Sequence, residues 1–99
     1  SQPKPPEPLT LVRLGIVLVP DVVDRTPPFV DRVRPGSPAA AAGIRPDDLV
    51  VFVGDRLVQS CRALRAELEY IDAVDEAQLT LLRGQELVPV TLRAPADNF

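Results

Sequence analysis

Arg34-Pro35-Gly36-Ser37-Pro38-Ala39-Ala40-Ala41-Ala42-Gly43-Ile44-Arg45-Pro46-Asp47-Asp48-Leu49-Val50 is the stretch whose reading decides the fold. Pro35-Gly36 stops whatever precedes it. Ser37 is a good N-cap, Pro38 sits at the first helical position where its missing N–H is no loss, and Ala39 to Ala42 are the best helix formers. Gly43 supplies the left-handed residue past the end, with Ile44 available for the closing hydrophobic contact. One turn of alanines is unstable by itself, so packing must hold it, and its small side chains imply close approach to a sheet. Arg45-Pro46-Asp47-Asp48 is a turn, with Pro46 setting φ at its second position. Leu49 to Val53 is a continuous apolar run, expected as a strand buried on both faces.

Outward from this segment the pattern is strand-rich. Leu9 to Val12 and Ile16 to Val19 are short aliphatic runs separated by Arg13-Leu14-Gly15, and both predict strands. Pro20 ends the second, Asp21 to Pro28 reads as a loop, and Phe29 to Val33 as a strand with imperfect alternation. Downstream, Gly54-Asp55 turns the chain into a short strand around Leu57 and Val58. Ser60 then caps a helix over Cys61 to Ile71, whose Cys61, Leu64, Leu68 and Ile71 share one face. Gln78 to Leu82 and Leu87 to Leu92 form a hairpin with Gly84 at its turn, and Pro89 marks an edge or bulge in the last strand. Ser1 to Pro8, with four prolines in eight positions, reads as an extended linker or cloning remnant. Residues 94–99 read as a tail, which leaves one folded domain over 9–93.

Composition narrows the chemistry. A length of 99 residues fits one domain, and 45% hydrophobic with 25% charged residues is ordinary for a globular chain. Aromatics are scarce, so the core must be aliphatic. The net charge of −3, with arginines spread along the chain, argues against a nucleic-acid partner. No apolar run approaches the ~20 residues that span a bilayer, and no direct membrane contact is expected. The sequence contains no histidine, which removes Ser-His-Asp and Cys-His catalysis and His-based metal sites. The single Cys61 excludes an intrachain disulfide. No cofactor, no metal and no catalytic residue is expected.

The stretch from Arg34 to Val50 resembles the most recognisable segment of bacterial PDZ domains, in particular those of HtrA/DegP-type serine proteases. That family typically reads Gly-Ser-Pro-Ala, then Ala-Gly-Leu, then a Pro-Gly-Asp turn and an apolar strand. Val53-Gly54-Asp55 stands where the family usually has Val-Asn-Gly, and Leu64-Arg65-Ala66 resembles the start of its groove helix. Two departures stand out. Asp47 replaces the turn glycine, which an Asp tolerates because it accepts left-handed φ better than most residues. The segment between Val19 and Phe29 is shorter than in many HtrA-type domains. The resemblance implies an α+β, mainly β fold: a five- to six-stranded antiparallel, partly open barrel or sandwich capped by two α-helices.

It also implies a binding mode, in which a ligand's C-terminal carboxylate meets backbone N–H groups of a short loop and the peptide adds as a strand to the sheet edge. Arg13-Leu14-Gly15-Ile16 fits the family's loop pattern. Gly15 would let successive amides converge on an anion, Leu14 and Ile16 would floor an apolar pocket, and Arg13 would add positive charge. Ile16, Val17 and Leu18 would be the strand that pairs with the ligand. Cys61, Arg65 and Leu68 would form the opposite wall, with Leu64 turned to the core. Partners are then C-terminal peptides or exposed apolar segments, with Arg65 favouring an acidic residue upstream. The parent protein would be a periplasmic or cell-envelope serine protease.

Plainer readings stand beside these. The helix stripe is equally core packing. Arg65 could pair with Glu69 on a solvated face, and Cys61 is a small buried residue. Asp47/Asp48 and Asp72/Asp75/Glu76 read as solvated turn residues, and Ser37 and Ser60 as helix caps. Asp97-Asn98-Phe99 could place its terminal carboxylate in a neighbouring molecule's groove and so drive self-association. The alternative function is a scaffolding or oligomerisation module with a blocked groove.

Overall fold

The structure, a computed structural model, describes residues 2–93. The chain runs α1 (Leu11–Leu14), β1 (Ile16–Leu18), β2 (Val30–Val33), α2 (Pro38–Ala41), β3 (Leu49–Val53), β4 (Arg56–Leu57), α3 (Cys61–Leu68), β5 (Glu76–Arg83) and β6 (Glu86–Arg93). All strand pairs are antiparallel, in a two-stranded sheet β1-β2 and a four-stranded sheet in the order β4-β3-β5-β6. A bridge from Phe29 to Leu49 joins the sheets, reinforced by the Val30 N–H donating to Asp48 O (2.8 Å) and the Val50 N–H to Pro28 O (3.1 Å). The result is a partly open assembly and not a closed barrel.

Alternation along β5 and β6 explains the core. Ala77, Leu79 and Leu81 turn one face of β5 inward and Leu92 joins them from β6, while Leu64 and Leu68 cover that face from α3. Leu9, Leu14, Ile16 and Val30 fill the other side, so the core is aliphatic throughout. Fully burying one such side chain is worth ~1.5–3 kcal/mol. Pro89 lies opposite Thr80 on β6, which among the described residues pairs only with β5, so its missing N–H falls on an outer strand.

Both long-range helices start as their caps dictate: the Ala40 N–H donates to Ser37 Oγ (3.1 Å) and the Ala63 N–H to Ser60 Oγ (3.0 Å). The third helix α3 ends at Leu68, three residues before the expected Ile71. There the chain tightens through the Ile71 N–H donating to Leu68 O at 3.0 Å.

Two expectations need correction. Leu9 to Val12 is not a strand. The Arg13 N–H donates to Thr10 Oγ1 (3.2 Å) at one end, and Gly15 closes the other at φ +82° with its N–H shared between Leu11 O and Val12 O. Cap and stop thereby fold Leu11–Leu14 into one helical turn despite their β-favouring side chains.

Asp48 is not a solvated turn residue. It is 1% exposed and accepts from Arg83 Nε and Nη2, each at 2.9 Å, and from the Arg45 N–H at 2.8 Å. Arg83 Nη2 also donates to Gly43 O at 2.9 Å, so one carboxylate ties the end of α2, the following turn and β5 together. The hydrogen bonds from Arg83 hold the Asp48 carboxyl below its usual range, overcoming the burial that pushes it up. Asp47 adopts φ +74°, the left-handed geometry the turn requires in place of the family's glycine.

Candidate binding groove

Among the described residues β1 has a strand partner on one side only. Its hydrogen-bonded side faces β2: Gly15 O accepts from the Arg34 N–H (2.9 Å), and the Val19 N–H donates to Phe29 O (3.0 Å). The β-bulge between Val17 and Leu18 sets Leu18 against Val30, and the extra residue, Asp31, belongs to β2, so alternation along β1 is unbroken. It follows that the N–H and C=O groups of Ile16 and Leu18 point to the opposite, unpaired edge.

α3 is tied to the loop between β1 and β2. Its start is pinned to the loop before β2 by the Cys61 N–H donating to Thr26 O (2.8 Å), and Cys61 Sγ donates to Pro27 O at 3.5 Å. Burial chiefly, and the nearby Asp21 charge, push the Cys61 thiol above its ordinary pKa, so it is a neutral packing group. At the other end of α3 an apolar cavity of about 210 Å³ opens between Leu9, Thr10, Leu11 and Val12 on one side and Arg65, Leu68 and Glu69 on the other. That is below the ~300–1,000 Å³ of small-molecule sites and suits a single side chain.

The sequence-predicted site residues divide into three groups. Leu14, Gly15, Ile16, Cys61 and Leu68 are buried, with Leu68 also touching the cavity. Val17 and Leu18 are half-buried on β1, and Val17 contributes to a shallow recess with Arg32 to Pro35. Arg13 and Arg65 carry the charge. Arg13 reaches Glu7 (3.3 Å), and Arg65 Nη1 donates to Asp21 Oδ2 at 2.9 Å. Glu69, the alternative partner of Arg65 in the sequence, is taken by Lys4 at 2.9 Å.

Gly15 holds two constraints at once. Its φ of +82° disfavours any side chain, and a Cβ there would land on the Ser37 side chain at the start of α2. The amides expected to meet a carboxylate are engaged internally, since the Leu14 N–H donates to Thr10 O (3.2 Å) and the Gly15 N–H caps α1.

An unpaired edge on β1, an apolar cavity between α1 and α3, and the Asp21–Arg65 pair that ties the loop after β1 to α3 are compatible with a strand-adding peptide site. The sequence profile of the PDZ domain family matches residues 6–82. The chain belongs to the PDZ domain family. A PDZ domain is a non-catalytic module. Among relatives, a "Probable periplasmic serine endoprotease DegP-like" of Rickettsia prowazekii is 30% identical over 70 residues, covering 71% of this chain and 14% of that protein. The PDZ domain thus spans about one-seventh of that relative's length.

Two solved PDZ-containing structures share the fold. The HtrA-type protease AlgW with a decapeptide superposes with a TM-score of 0.66 at 16% identity, over 86% of this chain and 30% of the other. The HtrA3 PDZ domain bound to a phage-derived ligand (FGRWV) gives 0.65 at 22% identity, over 83% of both chains.

Several residues around the cavity and the Arg65 pair escape a reading of the sequence alone. Leu9 to Val12 line the cavity because α1 is helical, and the signal was present in Thr10 and Gly15, which bracket four residues as Ser37 and Gly43 bracket α2. Asp21 left no signal, because nothing in a loop sequence says which cation it will meet. The tail residues 97–99 lie outside the described residues.

Proposed function

We propose that this PDZ domain captures the apolar C-terminus of a protein or peptide by strand addition to β1. It does so as the recognition or regulatory module of a larger HtrA/DegP-type serine protease outside the cytoplasm. The observation that carries the reading is the unpaired edge of Ile16 and Leu18, supported by an apolar cavity between α1 and α3 of a size for one side chain. Main-chain bonds to that edge supply affinity, and the aliphatic lining selects a terminal Val, Leu, Ile, Ala or Phe. A ligand carboxylate that reaches the Leu14 and Gly15 amides replaces the carbonyls of Thr10, Leu11 and Val12. Binding is thereby coupled to unwinding α1, a turn too short to hold itself. In the parent protein such a ligand would shift the protease between states through its differential affinity for them. The match to a relative named as periplasmic and DegP-like supports both the parentage and the location.

The blocked-groove scaffolding reading draws on one specific observation, the internal use of those same amides. Calorimetric titration with short peptides ending in Val, Leu or Ala separates the two. Saturable binding of free acids that disappears on C-terminal amidation is expected; absence of binding by every peptide would overturn the proposal in favour of scaffolding.

A further inference from the structure

Arg65 lies between two recesses. It lines the apolar cavity with Leu68, and on its other side a polar recess formed with Asp21, Asp24, Arg62, Ala66 and Glu69. Its guanidinium is engaged from across the groove, by Asp21 at 2.9 Å, three residues beyond the end of β1. The same loop makes a second, looser contact, Asp24 to Arg62 at 3.6 Å. These two pairs connect the extension of β1 to α3, the two walls between which a strand would be added. Asp21 is 30% exposed and Arg65 48% exposed at the side chain, so the pair is open to exchange with another carboxylate in solution. Glu69 is held by Lys4, and among the described residues Asp21 is the carboxylate paired with Arg65.

We infer that Asp21 is a built-in competitor of the ligand: it occupies Arg65 until an acidic side chain of the bound peptide takes its place. The inference rests on the groove reading above and names a ligand class, apolar C-termini preceded within a few residues by Asp or Glu. Exchange of one carboxylate for another leaves the ion-pair count unchanged, so acidic ligands gain little in the wild-type domain. The gain appears once Asp21 is removed. Selectivity is therefore set by the Asp21–Arg65 pair together and not by Arg65 alone.

The test uses peptides ending in Val with a free carboxylate, in which a single Glu or Gln is walked over the three positions before the terminus. The readout is the ratio of Gln-peptide to Glu-peptide Kd at each position, for the wild type, Asp21→Asn and Arg65→Gln. At the position facing Arg65 the ratio should rise by about two- to five-fold in Asp21→Asn, the range an exposed ion pair supplies, and shrink with added salt. In Arg65→Gln it should fall to near one. Binding of the Gln peptides with a ratio identical in wild type and Asp21→Asn at every position would overturn the competition and leave the groove reading standing. Failure of all peptides to bind all three proteins would overturn both.

Discussion

Replacing Gly15 with alanine should destabilise the domain for two separable reasons. The first is conformational: φ is +82°, where a Cβ costs ~1–2 kcal/mol. The second is steric, because the new Cβ would land on Ser37, with Arg34 Cβ next nearest at 3.6 Å. Ser37 Cβ is attached directly to the backbone that starts α2 and cannot swing away, so the segment must shift. If that shift breaks the bond from the Ala40 N–H to Ser37 Oγ (3.1 Å), a further ~1 kcal/mol of capping is lost. The sum, about 2–3 kcal/mol, is a large part of the ~5–15 kcal/mol that holds a domain together, and Tm should fall by on the order of 15 °C.

Gly36 provides the control: its φ is +74°, yet an added Cβ meets nothing within 4 Å, so Gly36→Ala should cost only the conformational part. A second control is Ser37→Gly, in which the obstructing side chain is gone. In that background Gly15→Ala should again cost only ~1–2 kcal/mol, giving a coupling of about 1 kcal/mol in a double-mutant cycle. Urea unfolding followed by far-ultraviolet circular dichroism measures the wild type and all four variants. Equal losses for Gly15→Ala and Gly36→Ala, with no coupling to Ser37, would refute the steric account.

Asp48→Ala should cost about 2–3 kcal/mol, because it strips partners from the Arg45 amide and the Arg83 guanidinium together. The folded Asp48 carboxyl titrates below its ordinary value, so the folded state binds this proton less readily than the unfolded chain. Its stabilisation is full above the unfolded carboxylate pKa of ~3.9 and is lost as pH falls through the folded value. Urea midpoints between pH 6 and 2 should therefore drop less steeply in Asp48→Asn than in the wild type; parallel curves would exclude Asp48 as a contributor. Cys61, buried and with its thiol pushed up, should resist iodoacetamide at pH 8 in the folded domain and react once urea unfolds it. Rapid labelling of the native protein, read by mass spectrometry, would contradict that placement.

The legible parts of the sequence were those in which local chemistry and tertiary packing agree. At Ser37-Pro38…Gly43 the cap, the proline and the left-handed glycine point to one short helix, and that helix forms. The β5-β6 hairpin followed in the same way from alternating apolar residues around Gly84, which sits at φ +62°. Leu9 to Val12 failed because β-favouring side chains outweighed, on inspection, a Thr10 cap and a Gly15 stop that the chain uses. Asp48 failed for another reason. Its arginine lies 35 residues away, and a carboxylate in a turn is solvated unless topology delivers a cation to it. Around the proposed groove the sequence indicates which residues are apolar but not how the polar groups pair. Leu14, Ile16 and Leu68 are legible as core positions and are buried in one apolar cluster, whereas the internal bonds of the Leu14 and Gly15 amides and the Asp21–Arg65 pair depend on loop geometry.

Amide hydrogen exchange at Ile16 and Leu18, with and without a saturating peptide that ends in a free Val carboxylate, tests strand addition most directly. The N–H groups of Ile16 and Leu18 face the open edge, whereas that of Val19 already donates to Phe29 O. Peptide binding should slow exchange at Ile16 and Leu18 and leave Val19 nearly unchanged, and the amidated peptide should do neither. Unaltered exchange at Ile16 and Leu18 under saturating peptide would contradict strand addition at β1.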